Sequence, residues 1–228
     1  MTSNWFKESC LDIDSDFQQT ISHVLLQKGL VQSKCQTTAM RFIIEVIVFW
    51  TLVQGIGACA NVKIVSRSAW GAAAPKSVSN LRLPVSLVFI HHTETPACQT
   101  LVSCKTRVQS IQRDHMVSKG WNDIGYSFLV AGDGTIYEGR GWNRVGAHTE
   151  GYNQRGIAFS FIGSYSGSKP PTAALTAVKK MIQCGISLKK VASRYRLYGH
   201  RDVNPTSCPG NALYREIKTW PHYSRTKP

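Results

Sequence analysis

The chain has 228 residues, 43% hydrophobic and 18% charged, a balance that excludes a disordered or fibrous protein and allows one domain plus a further segment. Its net charge of +14 is uneven: residues 1–58 carry four basic groups (Lys7, Lys28, Lys34, Arg41) against five acidic ones (Glu8, Asp12, Asp14, Asp16, Glu45), so the remainder carries +15. Such a basic domain suits nucleic acid, a carboxylate-rich cell wall or an anionic membrane equally, so charge selects none of them.

Residues 1–41 have mixed polarity and no motif, and are read as an unassigned N-terminal extension. Residues 42–60, FIIEVIVFWTLVQGIGACA, form a strongly apolar run that follows Met40-Arg41 and ends in Gly55, Gly57, Ala58 and Ala60. A basic residue, an apolar stretch and a small-residue end is the order of a secretory signal peptide. The run is also about long enough to span a bilayer, although Glu45 and the Gln54-Gly55-Ile56-Gly57 tail weigh against that. The expectation is a cleaved signal over residues 42–58 and secretion of residues 59–228. A retained signal anchor is the alternative, and Met40 as the true start is a third.

Seven cysteines follow the same division. Cys10 and Cys35 precede the apolar run, and cleavage after Ala58 leaves Cys59, Cys98, Cys104, Cys184 and Cys208. An odd number in an exported protein means one thiol that is free, bridged to another chain or bound to metal. Cleavage after Ala60 would remove Cys59 and leave Cys184 unpaired, so spacing alone leaves the pairing open.

Residues 86–91 (SLVFIH) read as a buried strand. Leu101, Cys104, Val108, Ile111 and His115 then recur at helical spacing, and Gly120 stops that helix. Residues 125–142 read as a hairpin turning at Gly132-Asp133-Gly134. Residues 156–163 are another buried strand, 172–185 a helix through Leu175, Val178, Met181 and Ile182, 195–200 a strand, and 210–219 a last helix. Strands alternating with helices predict an α/β domain with a mixed central β-sheet flanked by helices. Asn204 stands in N-P-T, where proline blocks glycosylation.

Chemistry-bearing residues fall at strand ends. His91 and His92 close the first strand, Tyr126 opens the hairpin, His200 closes the later strand, and Cys208 follows eight residues on. Two histidines and a cysteine make three zinc ligands, with the fourth place kept for water as in catalytic sites. Taken singly, each histidine is equally a hydrogen-bonded core residue, and Cys208 equally half of a disulfide.

The segments LVFIHHTETPACQTLVSCKTRVQSIQRDHM, KGWNDIGYSFLVAGDGTIYEGRGWNRVGAHTEGYN and LYGHRDVNPTSCPGNALYREIKTWPH closely resemble the peptidoglycan recognition proteins, whose domain is similar to phage lysozyme-type amidases. The resemblance runs from about Ile64 to His222. It implies His91, His200 and Cys208 as ligands of a zinc ion, Tyr126 beside the metal's water, and Thr206 facing the scissile carbonyl. Many members of the family lack the cysteine, often having serine there, and only bind; with Cys208 this sequence resembles the catalytic subset. Disulfides Cys59–Cys184 and Cys98–Cys104 would leave Cys208 over as a thiolate. The implied reaction is zinc-assisted hydrolysis of the amide joining the muramic acid lactyl group to L-alanine in bacterial peptidoglycan, in innate immunity, with Tyr126 orienting or deprotonating the water. The alternative is a non-catalytic receptor or co-receptor.

The resemblance also places His92, Thr93, His115, Tyr126, His148 and Asn153 along the groove that takes the stem peptide and sugar. Gly120-Trp121 and Arg140 match the pattern associated with meso-diaminopimelate-type peptidoglycan. Diaminopimelate carries a carboxylate that lysine lacks, and an arginine fork binds a carboxylate bidentately. No stacking motif or helix-turn-helix supports a nucleic-acid partner. A membrane partner is expected only if residues 42–60 stay as an anchor.

Overall fold

A computed structural model describes residues 59–228. The predicted extension and signal lie outside the described residues. Among those described, no helix is long and apolar enough to cross a membrane. In chain order the elements are β1 (Ile64–Val65), α1 (Arg67–Trp70), β2 (Val85–His92), α2 (Leu101–Arg113) with a wider π turn (Asp114–Ser118), β3 (Phe128–Val130) and β4 (Ile136–Glu138). They continue with β5 (Gly156–Phe161), α3 (Thr172–Ser187), β6 (Val191–Gly199), a 3-10 turn (His200–Asp202) and α4 (Asn211–Ile217).

The strands form one six-stranded sheet in the order β1-β4-β3-β5-β2-β6. Only β3 and β4 run antiparallel, as the hairpin; the other neighbours are parallel. The expected mixed sheet with flanking helices is present. Ala131 and Thr135 close the hairpin turn, and Gly134 takes a left-handed φ of 86° that glycine adopts without strain.

Register explains where the open surface lies. Paired residues of neighbouring strands share a face. Val88, Ile90, Ile157, Phe159, Phe128 and Leu197 therefore face one way, where Leu175, Val178, Met181 and Ile182 of α3 and Leu213 and Ile217 of α4 bury them. Leu87, Phe89, His91, Ala158 and Tyr198 face the other way. On that side α2 sends Cys104, Val108 and Ile111 against Leu129 and Tyr137, over the β3–β4 half of the sheet. The β5–β2–β6 half is left to loops, and the groove forms there.

Two element boundaries differ from expectation for physical reasons. The late strand starts at Val191, not 195, because β6 is an edge strand whose Ser193, Arg194 and Arg196 stay exposed between buried neighbours. The helix after β2 does not simply end before Gly120. It widens over Asp114–Ser118 before Gly120 turns at φ 70°. At its start Thr100 and Ser103 cap it reciprocally, each hydroxyl accepting the other's backbone N–H at 3.2 Å.

Cys59 is bonded to Cys184 across 125 residues, and Cys98 to Cys104 across six. Chain-entropy arguments give the long closure about 5 kcal/mol and the short one about half of that. We expect Cys59→Ser with Cys184→Ser to lower the unfolding free energy in urea by roughly 2–5 kcal/mol, and the Cys98/Cys104 pair to cost less. Equal losses would contradict the loop-closure account.

Candidate metal centre and groove

β2 and β6 lie side by side with Ile90 opposite Gly199. His91, one residue past that pair on β2, and His200, the first residue after β6, are therefore brought together. Their ring centroids are 4.4 Å apart. The chain then turns back so that Cys208 joins them. Arg201 holds this return: its N–H and its Nε donate to Cys208 O, and Nη1 donates to Asn211 Oδ1 at 2.7 Å. Asp202 anchors it from the other side, accepting the Gly199 N–H and the hydroxyls of Tyr214 and Tyr223.

One donor atom from each of His91, His200 and Cys208 lies within 4.8 Å of the others. Cys208 is the free cysteine among the described residues. Its Sγ is 3.6 Å from His91 Nδ1, the separation of two corners of a tetrahedron with Zn–S of about 2.3 Å and Zn–N of about 2.0 Å. Burial pushes the Cys208 thiol up to about 12, the His92 N–H and Arg201 opposing this. A thiol held there is neutral at physiological pH unless a cation stands beside it. Burial lowers His91 well below the usual imidazole range, reinforced by His200, and burial lowers His200 too. Both rings therefore offer lone pairs. The donor set fits zinc.

Around these atoms the predicted residues divide. Trp121, His148, Asn153, His200 and Thr206 line one cavity of about 550 Å³, together with Thr149, Glu150 and Asn204. Thr206 is exposed, and its Oγ1 accepts the Cys208 N–H at 3.1 Å. Asn153 Oδ1 accepts the N–H groups of both His148 and Thr149 at 2.9 Å, shaping the loop while its amide nitrogen remains available.

The Tyr126 ring centroid is 5.6 Å from those of both His91 and His115. Burial, and next to it Cys208, push its phenol above the ordinary range, so it keeps its proton at neutral pH. His115 is swung inward by the π turn and packs on Trp121. Its Nδ1 accepts the Gly125 N–H at 2.9 Å, which leaves the proton on Nε2. Gly120 gives the left-handed turn that lets Trp121 N–H reach His115 O.

Other expected groove residues sit differently. His92 points to the opposite side of β2 from His91. Its Nδ1 accepts the Tyr165 N–H at 3.3 Å, and it meets Cys208 through its backbone, whose N–H is 3.4 Å from Sγ. Thr93 Oγ1 is engaged by the Gly163 N–H and by Thr95. Arg140 donates to the carbonyls of Ile124 (2.8 Å), Val145 (2.7 Å) and Asp123 (3.3 Å), committing three of its five N–H groups to the fold.

Sequence reasoning missed Thr149, which hydrogen-bonds the His91 and His148 rings. It lies inside the quoted GAHTEGYN segment, but a threonine beside a histidine carries no spacing signal. Gly146 was missed as well: a Cβ there would fall onto the His148 ring.

Burial lowers His115 to about 4, with Lys119 adding to this. Above pH 6.5 both folded and unfolded states hold this ring neutral. As pH falls towards 4 only the unfolded state takes up the proton, so stability drops across that window and levels off below it. Full expression of the shift is ~3 kcal/mol. We expect His115→Gln, which keeps an acceptor for Gly125, to flatten the wild-type decline in urea midpoint between pH 6.5 and 4. An unchanged pH slope would count against a neutral buried His115.

The fold is an α/β domain with a mixed sheet, in which two imidazoles from parallel strand ends and a loop thiol gather beside a polar groove. Residues 81–211 match the family described as N-acetylmuramoyl-L-alanine amidase. The chain is 43% identical over 180 residues to peptidoglycan recognition protein 1 of Bos indicus, covering 77% of this chain and 95% of that protein. It is 46% identical over 165 residues to the N-acetylmuramoyl-L-alanine amidase of Mus musculus, covering 71% of this chain but 31% of that longer protein. Among solved structures it resembles peptidoglycan recognition protein LE in complex with tracheal cytotoxin, a monomeric diaminopimelic acid-type peptidoglycan. That match has 42% identity and a TM-score of 0.70, covering 71% of this chain and 96% of the other. The chain belongs to the peptidoglycan recognition proteins, within the N-acetylmuramoyl-L-alanine amidase family.

Proposed function

We propose that this protein is a zinc-dependent amidase that binds bacterial peptidoglycan of the meso-diaminopimelate type and hydrolyses the lactyl–L-alanine amide. The observation that carries this reading is the convergence on one point of His91, His200 and Cys208, the cysteine outside the disulfides among the described residues. The relative bound to a diaminopimelate-type fragment supports the ligand class. Zinc held by those three residues would supply a Lewis acid and a water activated at neutral pH.

The remaining work falls to the chain itself. Tyr126, which keeps its proton, orients the nucleophile or donates to the developing oxyanion; its raised pKa makes it a poor base. Thr206 accepts from Cys208 N–H and so retains its own hydroxyl proton for the scissile carbonyl. His115 presents a neutral Nε2–H to the peptide, and Trp121 gives it an apolar wall. A cleaved signal over residues 42–58 would deliver this activity outside the cell, in defence against bacteria; a retained one would hold it at the membrane.

The deciding experiment incubates the protein with diaminopimelate-type and lysine-type peptidoglycan, with and without chelator, and measures released peptide. Chelator-sensitive release, greater from the diaminopimelate type, is expected. Retention on the wall with no release in the presence of zinc would replace the enzyme by a receptor.

A further inference from the structure

Thr149 stands between two imidazoles with different tasks. Its Oγ1 is 3.1 Å from His91 Nε2 and 2.9 Å from His148 Nδ1. The residue is fully buried, and these two nitrogens are the hydroxyl's hydrogen-bond partners among the described residues. His91 turns its other nitrogen, Nδ1, towards Cys208 Sγ.

Proton counting gives the chain a direction. If His91 holds a metal through Nδ1, that lone pair would be used, and the His91 proton would sit on Nε2 and be donated to Thr149 Oγ1. The buried hydroxyl has one hydrogen of its own, and the acceptor left for it is His148 Nδ1. His148 must then carry its proton on Nε2. That nitrogen is buried, makes no hydrogen bond of normal geometry among the described residues, lies towards the Gly156 backbone, which also favours a proton there, and belongs to a side chain lining the groove cavity.

We propose that Thr149 is a positioning residue that ties the metal-facing orientation of His91 to the tautomer of His148, so that metal occupancy sets His148 as a donor. This rests on the metal-site reading above. With the metal present, the relay runs one way only: His91 Nε2–H to Thr149 Oγ1, then Thr149 O–H to His148 Nδ1. Without it, His91 is free to carry its proton on Nδ1, the hydroxyl reverses to serve His91 Nε2, and His148 is released to protonate Nδ1.

The test uses the full chain and zinc alone. Zinc affinity is measured by chelator competition, and histidine tautomers by long-range ¹H–¹⁵N spectra, for wild type, Thr149→Val and Thr149→Ser. Valine keeps the shape and deletes the hydroxyl; serine keeps the hydroxyl. Thr149→Val is expected to weaken zinc binding by roughly 10–100-fold and to lose the single His148 tautomer, while Thr149→Ser stays close to wild type in both. Zinc-loaded wild type is expected to show His148 protonated on Nε2, and chelation to mix its tautomers. Wild-type zinc affinity in Thr149→Val would overturn this proposal alone, as would a zinc-loaded His148 protonated on Nδ1. If Thr149→Val does not fold, the wild-type tautomer with and without zinc decides. A wild-type chain that takes up no zinc would overturn the metal-site reading and this proposal with it.

Discussion

Cys208→Ser is expected to abolish peptide release, by at least about a thousandfold, while leaving retention on peptidoglycan within a few-fold of wild type. A metal acting as Lewis acid and water activator contributes several kcal/mol to the transition state, and about 4 kcal/mol corresponds to that factor. Serine would remove one of three ligands and supply a hydroxyl in place of a thiolate, so zinc affinity should fall together with the rate. Binding should survive because Cys208 is a base of the groove and not its wall. Trp121, His148, Asn153 and Thr206 line the cavity, and Cys208 lies behind Thr206. The substitution is small, and the Cys208 carbonyl and N–H that hold the loop to Arg201 and Thr206 are backbone groups that serine keeps. Stability should therefore change little in the metal-free state. Full turnover in Cys208→Ser would remove the metal from the mechanism; loss of wall retention as well would show that the thiol has a structural task.

How far the sequence carries such a prediction depends on what kind of signal each residue leaves. His91 and His200 were readable because each closes a run of strand formers, and parallel neighbouring strands bring like ends together. Cys208 gained its place from cysteine parity and the family motifs, since nothing in its spacing from His200 specifies a ligand. The direction of His92 is a simple consequence of strand alternation, yet the adjacent HH pair gives no hint of which ring joins His200 and Cys208. Register decides that: His91 shares its face with Ser160 and Phe89, in front of the open half of the sheet. The π turn was unreadable for another reason. His115 follows Ile111 at ordinary helical spacing, and the widening depends on a contact made later in the chain, the Trp121 N–H reaching back to His115 O. Thr149 and Gly146 act through hydrogen bonding and close approach in a loop, where no periodicity exists to expose them.

Arg140→Ala is expected to have two separable effects, on stability and on wall-type discrimination. The guanidinium closes the carbonyls of Ile124, Asp123 and Val145 from segments on both sides of the hairpin. Deleting it leaves those acceptors without their charged donor, at about 1.5–3 kcal/mol for a hydrogen bond to a charged group, so a loss of roughly 2–4 kcal/mol in urea unfolding is expected. Two N–H groups remain uncommitted, enough for a diaminopimelate carboxylate but only if the fork is held as it is now. On the proposed reading, the three carbonyls would support the arginine as a specificity group and would not compete for it. Arg140→Lys separates the effects: an ammonium can keep a carbonyl and the charge, but it cannot span three acceptors and present a planar pair to a carboxylate. We expect Arg140→Lys to recover part of the stability while preference for diaminopimelate-type over lysine-type peptidoglycan still falls by about tenfold or more, the worth of one charge-assisted bond. Binding to both wall types, measured where each variant is fully folded, checks this. Undiminished preference in Arg140→Ala would assign the arginine wholly to the scaffold, and the discrimination would have to come from the Gly120-Trp121 turn.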